Sequence, residues 1–213
     1  MFNRDGLSYL LVHGTIILST IYLSYLSNPG SSLFSWHPFL MTLSMLFLAN
    51  ELVMIFSPYW SLLPKRFQKQ LFMDFHTYGQ VVAFIGYSIG FAAIYINKED
   101  NEKPHFKSWH GLLGLIQAII ITSQLSLGSL AKYARYIPLK LNVGKIKGFH
   151  NLLGAVAILF TSLNMITACF TNFFSSQTHI LLAYVFSAAF VLIYGFVSLR
   201  VFMTNSRIAQ LFK

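Results

Sequence analysis

The sequence predicts an all-α membrane protein of six transmembrane helices, and three observations carry that prediction. Of 213 residues, 55% are hydrophobic and 10% charged, against about 25% charged in soluble domains. Six apolar runs are visible, near Leu7–Ser27, Trp36–Phe56, Leu71–Ile96, Trp109–Leu130, Phe149–Phe173 and His179–Arg200. Each reaches the ~20 residues that cross a ~30 Å hydrocarbon core as a helix. The runs are continuous and do not alternate as barrel strands do, and only helices or closed barrels satisfy their backbone in lipid.

The first run carries His13 and Gly14 among Tyr and Ser positions. It exceeds the ~7–15-residue apolar region of a signal peptide and has no small-residue cleavage site after it, so it is expected as a retained first helix. The turn Asn28-Pro29-Gly30-Ser31-Ser32 punctuates the chain. The second helix opens at Trp36-His37-Pro38, where a first-turn proline is tolerated because that N–H is unpaired anyway. Asn50 and Glu51 sit near its far end, and Ser57-Pro58 closes it. The third helix carries Asp74 and His76 early, then Gly86 and Gly90, a small-xxx-small pair that allows close helix approach. A polar loop over 97–108 leads to the fourth helix at Trp109, and a basic loop over 131–147 leads to the fifth, starting near Gly148. The sixth returns from His179 to Arg200. The chain is expected to form one transmembrane domain over 1–213, with no soluble domain. Its single cysteine, Cys169, gives no internal disulfide.

The net charge of +9 does not indicate nucleic acid, because the charges are segregated. With a cytosolic N-terminus, Arg4, Lys65, Arg66, Lys69, Lys132, Arg135, Lys140, Lys145, Lys147, Arg200, Arg207 and Lys213 all lie inside, twelve of fifteen basic residues. Only Lys98, Lys103 and Lys107 lie opposite, diluted by Glu99, Asp100 and Glu102. This is the positive-inside pattern, and it predicts that both termini are cytosolic.

Histidines then mark the helix starts in a repeated pattern. Ser35-Trp36-His37-Pro38 returns as Ser108-Trp109-His110-Gly111. Phe75-His76-Thr77-Tyr78-Gly79 and Phe149-His150-Asn151-Leu152-Leu153-Gly154 open the outward-running helices. His37 to His76 is 39 positions and His110 to His150 is 40. His37 and His110 therefore share one depth near the non-cytosolic face, and His76 and His150 share one near the cytosolic face. Two imidazoles at one depth on different helices can supply both axial ligands of a heme iron. At 1.5 Å per residue, two such centres would have irons about 20 Å apart. Ionisable side chains within spans mark functional paths. His13 and His179 have no counterpart in this pairing and are expected as a hydrogen-bonded and an interfacial residue.

These residues resemble the cytochrome b561 family of transmembrane reductases. The resemblance rests on Ser35-Trp36-His37-Pro38-Phe39-Leu40-Met41, on Ser108-Trp109-His110-Gly111, and on one early histidine in each of helices 3 and 5. It implies six helices, with helices 2–5 as a di-heme four-helix core flanked by helices 1 and 6. It implies two heme b groups, one on His37 and His110, the other on His76 and His150. It further implies cytosolic ascorbate as donor, with monodehydroascorbate radical or a ferric chelate as acceptor. Lys69, Arg66, Lys140 and Lys145 are then candidate contacts for the ascorbate anion, since a basic mouth attracts it. His105 and Trp109 are candidate contacts for the acceptor, and Glu99, Asp100 and Glu102 offer oxygen ligands to ferric iron. An endomembrane, endoplasmic reticulum or vesicle, is favoured over the plasma membrane, and a homodimer is compatible with the pattern. The rival expectation is a histidine-lined proton or metal-ion transporter without heme.

Overall fold

The structure, a computed structural model, describes residues 4–56, 61, 69–138 and 141–204. Among these residues six helices are long and apolar enough to cross a membrane. They are α1 (Arg4–Ser27), α2 (Trp36–Met54), α3 (Lys69–Asp100), α4 (Trp109–Tyr133), α5 (Val143–Ala168) and α6 (Ile180–Thr204). A 3₁₀ turn, Ala134–Tyr136, extends α4, and a one-turn helix, Asn172–Ser175, lies between α5 and α6. The end holding the α2–α3 and α4–α5 connections is called here the basic face, and the other end the distal face.

Several helix boundaries differ from expectation. The third helix runs on to Asp100 instead of ending near Ile96. Its polar tail needs no lipid, and it stops where Glu102 takes a left-handed φ of 53° and Lys103 N–H returns to Lys98 O at 2.9 Å. Such a return bond satisfies an end carbonyl. The fifth helix begins at Val143, ahead of Gly148, because the Asn142 side chain accepts from Lys145 N–H at 3.0 Å. It ends at Ala168, short of Phe173, and the chain turns over Cys169–Thr171. The second helix ends at Met54. Lys132, Lys145 and Lys147, expected in a loop, are thus helical.

The two Ser-Trp-His words do different work. Ser108 is a true N-cap, accepting from Gly111 N–H at 3.1 Å. Ser35 makes no cap bond; its hydroxyl donates to Ser32 O at 2.7 Å and accepts from Gly30 N–H at 3.1 Å. It thereby closes the turn in which Gly30 adopts φ 92°, a conformation only glycine takes freely. Ser108→Ala should cost about 1 kcal/mol of stability, read as a lower thermal midpoint.

α2 is interrupted by a π-helical stretch, Thr42–Leu48. Its widened ladder leaves Met45 O accepting from Asn50 Nδ2 at 3.2 Å and from the Tyr194 hydroxyl of α6 at 3.3 Å. Without such partners a carbonyl in lipid is costly. Gly86 and Gly90 do let α3 close on α2. A Cβ at Gly86 would lie 2.5 Å from Ser44 Oγ, and one at Gly90 would lie 3.1 Å from Leu40 Cβ.

Large apolar side chains such as Leu18, Ile21, Ile119 and Leu181 face outward. Several buried positions are instead polar: Thr42, Ser44, Asn50, Gln117, Thr161 and Ser162. A buried apolar cluster ties the flanking helices to the bundle. Val12, Ile16, Leu46, Met54, Ile158, Phe174, Phe190, Ile193 and Val197 join α1, α2, α5 and α6 into one cluster. The space between α2, α3, α4 and α5 holds His37, His110, Gln117 and Asn164 among aromatic and aliphatic walls such as Met41, Tyr87 and Phe91.

Candidate functional site

Each of the four pattern histidines is anchored to a backbone carbonyl on a neighbouring helix. His37 Nδ1 meets Gly90 O at 3.0 Å, and His110 Nδ1 meets Asn164 O at 3.2 Å. His76 Nδ1 meets Leu52 O at 2.9 Å, and His150 Nδ1 meets Gln124 O at 3.2 Å. A carbonyl only accepts, so every Nδ1 carries the proton and every Nε2 is left with its lone pair. This is how metal-ligating histidines are held, the second nitrogen fixing tautomer and ring orientation.

The rings meet in the pairs expected. His37 and His110 have ring centroids 6.2 Å apart, with planes at 73°. His76 and His150 are also 6.2 Å apart, at 88°. Two metal–imidazole bonds of about 2.0–2.1 Å plus about 1.1 Å from each nitrogen to its ring centre sum to roughly 6.3 Å. Each pair therefore has the spacing of imidazoles on opposite sides of one metal ion. The rungs are level: His37 and His110 are each the second residue of their helix, and His76 and His150 each the eighth.

A cavity of about 730 Å³ opens beside the distal rung, walled by His37, His110, Met41, Tyr87, Phe106 and Phe173. That is within the range of small-molecule and cofactor sites. Together the chemistry of the donor set, the ring spacing and this volume fit a planar metal macrocycle.

Several participants carry no sequence pattern. Asn164, whose carbonyl anchors His110, donates through Nδ2 to Gln117 Oε1 at 2.7 Å, and Gln117 Nε2 donates to Thr161 Oγ1 at 2.9 Å. Gln124 anchors His150 and brings its own side-chain Nε2 to 3.5 Å from His150 Nε2. Gly128 leaves room for that ring. Asp74 Oδ1 accepts from Lys132 Nζ at 2.9 Å, and Lys132 lies 4.3 Å over the Tyr78 ring. An i,i+58 pair across two helices has no local signature.

The remaining predicted residues are placed as follows. Lys69 is exposed at the start of α3 and Lys145 is exposed in the first turn of α5. Arg66 and Lys140 lie outside the described residues. His105 and Trp109 both line the distal cavity. His105 stacks on Tyr95 at 4.2 Å and pairs with Glu99 Oε1 at 2.7 Å, so Glu99 already has a partner. His13 is hydrogen-bonded as expected, to Glu51 at 2.8 Å. His179 is exposed at the start of α6, its Nδ1 accepting from Leu181 N–H at 3.2 Å.

Residues 36–176, which hold all four histidines, match the family model of eukaryotic cytochrome b561. The chain is 32% identical to transmembrane reductase CYB561D2 of Mus musculus over 157 residues, 74% of this chain and 70% of that protein. It is 36% identical to the Bos taurus protein of the same name over 140 residues, 66% of this chain and 62% of that one. It is 29% identical to the probable transmembrane reductase CYB561D1 of Mus musculus over 170 residues, 80% of this chain and 73% of that one. With six apolar helices and a match spanning 36–176, this chain belongs to the cytochrome b561 family and is a heme-binding transmembrane electron-transfer reductase.

Proposed function

We propose that the protein carries single electrons from cytosolic ascorbate across an endomembrane to monodehydroascorbate radical or a ferric chelate on the far side. Two b-type hemes serve it, one held by His76 and His150 at the basic, cytosolic face, the other by His37 and His110 at the distal face. The observation that carries this reading is the double rung: two facing imidazole pairs, each 6.2 Å apart, with every Nδ1 turned onto a carbonyl. When bound, such a group supplies a reversible one-electron centre, and two axial imidazoles favour electron transfer over binding an external ligand.

The chain's own residues do the rest. The four carbonyls fix the tautomer and orientation of the imidazoles. Lys69 and Lys145, with Arg66 and Lys140, draw the ascorbate anion to the cytosolic face. Lys132, held by Asp74, lies on the same side. At the distal face His105 and Trp109, on the cavity wall, meet the acceptor. Both termini are cytosolic under the positive-inside rule, and residues 1–213 act as one unit that can pair as a homodimer. An inside-negative potential then favours outward electron movement by up to about 2.3 kcal/mol per 100 mV.

Stopped-flow reduction by ascorbate tests the assignment of sides. His76→Ala should abolish the fast donor-facing phase. His110→Ala should keep that phase and block onward transfer. Indistinguishable kinetics in the two variants would overturn it. Colourless protein that conducts protons or zinc would replace the whole reading with a histidine-lined transporter.

A further inference from the structure

Glu51 of α2 and His13 of α1 meet at 2.8 Å, their side chains 10% and 5% exposed, and electron transfer as described uses neither. A carboxylate inside a span is costly and marks function by default. Tying α1 to α2 does not require charge, since an amide pair would do so with less desolvation. A purely structural tie would also satisfy both oxygens. Glu51 Oε2 is instead buried with no hydrogen-bond partner among the described residues. The position is equally specific. Glu51 directly precedes Leu52, whose carbonyl anchors His76. It lies three residues before Met54, the end of α2, or about 4.5 Å along the axis from the basic face.

We propose that the His13–Glu51 pair is an intramembrane proton-binding site that gains one proton when the adjoining basic-face centre gains one electron. The proposal rests on the reductase reading, which supplies the electron. The pair holds one exchangeable proton as imidazolium and carboxylate across the 2.8 Å contact. A second proton, from water at the basic face, gives imidazolium and carboxylic acid and offsets the incoming negative charge. When the electron moves on to the acceptor, the proton returns to the same water, so no covalent bond beyond O–H or N–H changes. Among the described side chains, the other titratable groups facing this part of α2 have partners of their own. Tyr194 of α6 donates to Met45 O at 3.3 Å, His76 of α3 binds Leu52 O, and Asp74 of α3 is paired with Lys132 of α4.

Redox-difference infrared spectroscopy and potentiometric titration of the full-length, heme-loaded protein in lipid nanodiscs test this. Reduction of the wild type should raise the carbonyl stretch of a protonated carboxylic acid, and Glu51→Gln should remove that band. One heme midpoint should fall by up to about 59 mV per tenfold drop in proton concentration, and Glu51→Gln and His13→Gln should each flatten that slope. A wild type silent in the carboxylic region on reduction overturns the proposal even if neither variant accumulates. So does a pH slope retained in Glu51→Gln. Either result leaves the reductase reading standing, whereas wild-type protein with no reducible heme bands overturns that reading and this proposal with it.

Discussion

Gly128→Leu is expected to give a protein that has lost the basic-face heme and kept the distal one. A Cβ at Gly128 would lie 2.9 Å from His150 Cε1 and 3.3 Å from its Nδ1. The ring cannot move aside, because its Nδ1 is bound to Gln124 O on the same face of α4, one turn away. The packing is reciprocal: a Cβ at Gly154, one turn from His150, would lie 2.9 Å from Gln124 Nε2. Helices α4 and α5 therefore interlock through two glycines, each receiving the other helix's functional side chain. A leucine would occupy the imidazole's place and destroy the rung. Heme content per chain should fall to about half, with the remaining α band from His37 and His110 unshifted. The control is Gly195→Ala, where a Cβ meets nothing within 4 Å. There the substitution should be neutral or stabilising, by up to about 1 kcal/mol from helix propensity. Full heme content in Gly128→Leu would refute the geometry.

Phe190→Ala should destabilise the fold by about 3–5 kcal/mol, the usual cost of deleting a buried aromatic and leaving a cavity. Phe190 is 1% exposed at the centre of the α1–α2–α5–α6 cluster. It packs against Phe186 at 6.0 Å and Tyr194 at 6.5 Å. Between helices in lipid, packing of this kind replaces the hydrophobic drive that acts in water. Leu181, 63% exposed on the same helix, should tolerate alanine within about 0.5 kcal/mol. Thermal unfolding in detergent separates the two variants. Equal midpoints would show that the cluster is not what holds the flanking helices on.

Six helices could be read from hydropathy because lipid demands a length and a composition, and both are local properties. The histidine pairs could be read because a level rung requires like positions on like-directed helices, and His37/His110 and His76/His150 have them. What anchors the rungs could not be read. Gly90, Leu52, Asn164 and Gln124 contribute backbone carbonyls, and any residue type has one. Gly128 and Gly154 carry no sequence signature, since their role is to leave room for a side chain of a neighbouring helix. Glu51 was visible as a charge in a span, yet its partner His13 is 38 positions away with no repeat to link them. Helix ends were misjudged where polar residues, as in Asn97–Asp100, continue a helix into water that hydropathy had assigned to a loop.

The π turns of α2 have a consequence for how that helix serves two masters. An α-helix advances about 100° of azimuth per residue. The wide stretch Thr42–Leu48 therefore slips the phase of everything beyond it relative to Trp36–Met41. Its first part aims His37 at α3, while its last part presents Glu51 to α1 and the Leu52 carbonyl to α3. Losing one residue from that stretch would swing the far end by about a third of a revolution and uncouple both partners at once, with His37 untouched. The irregular winding is thus a gearing between the two ends of one rod.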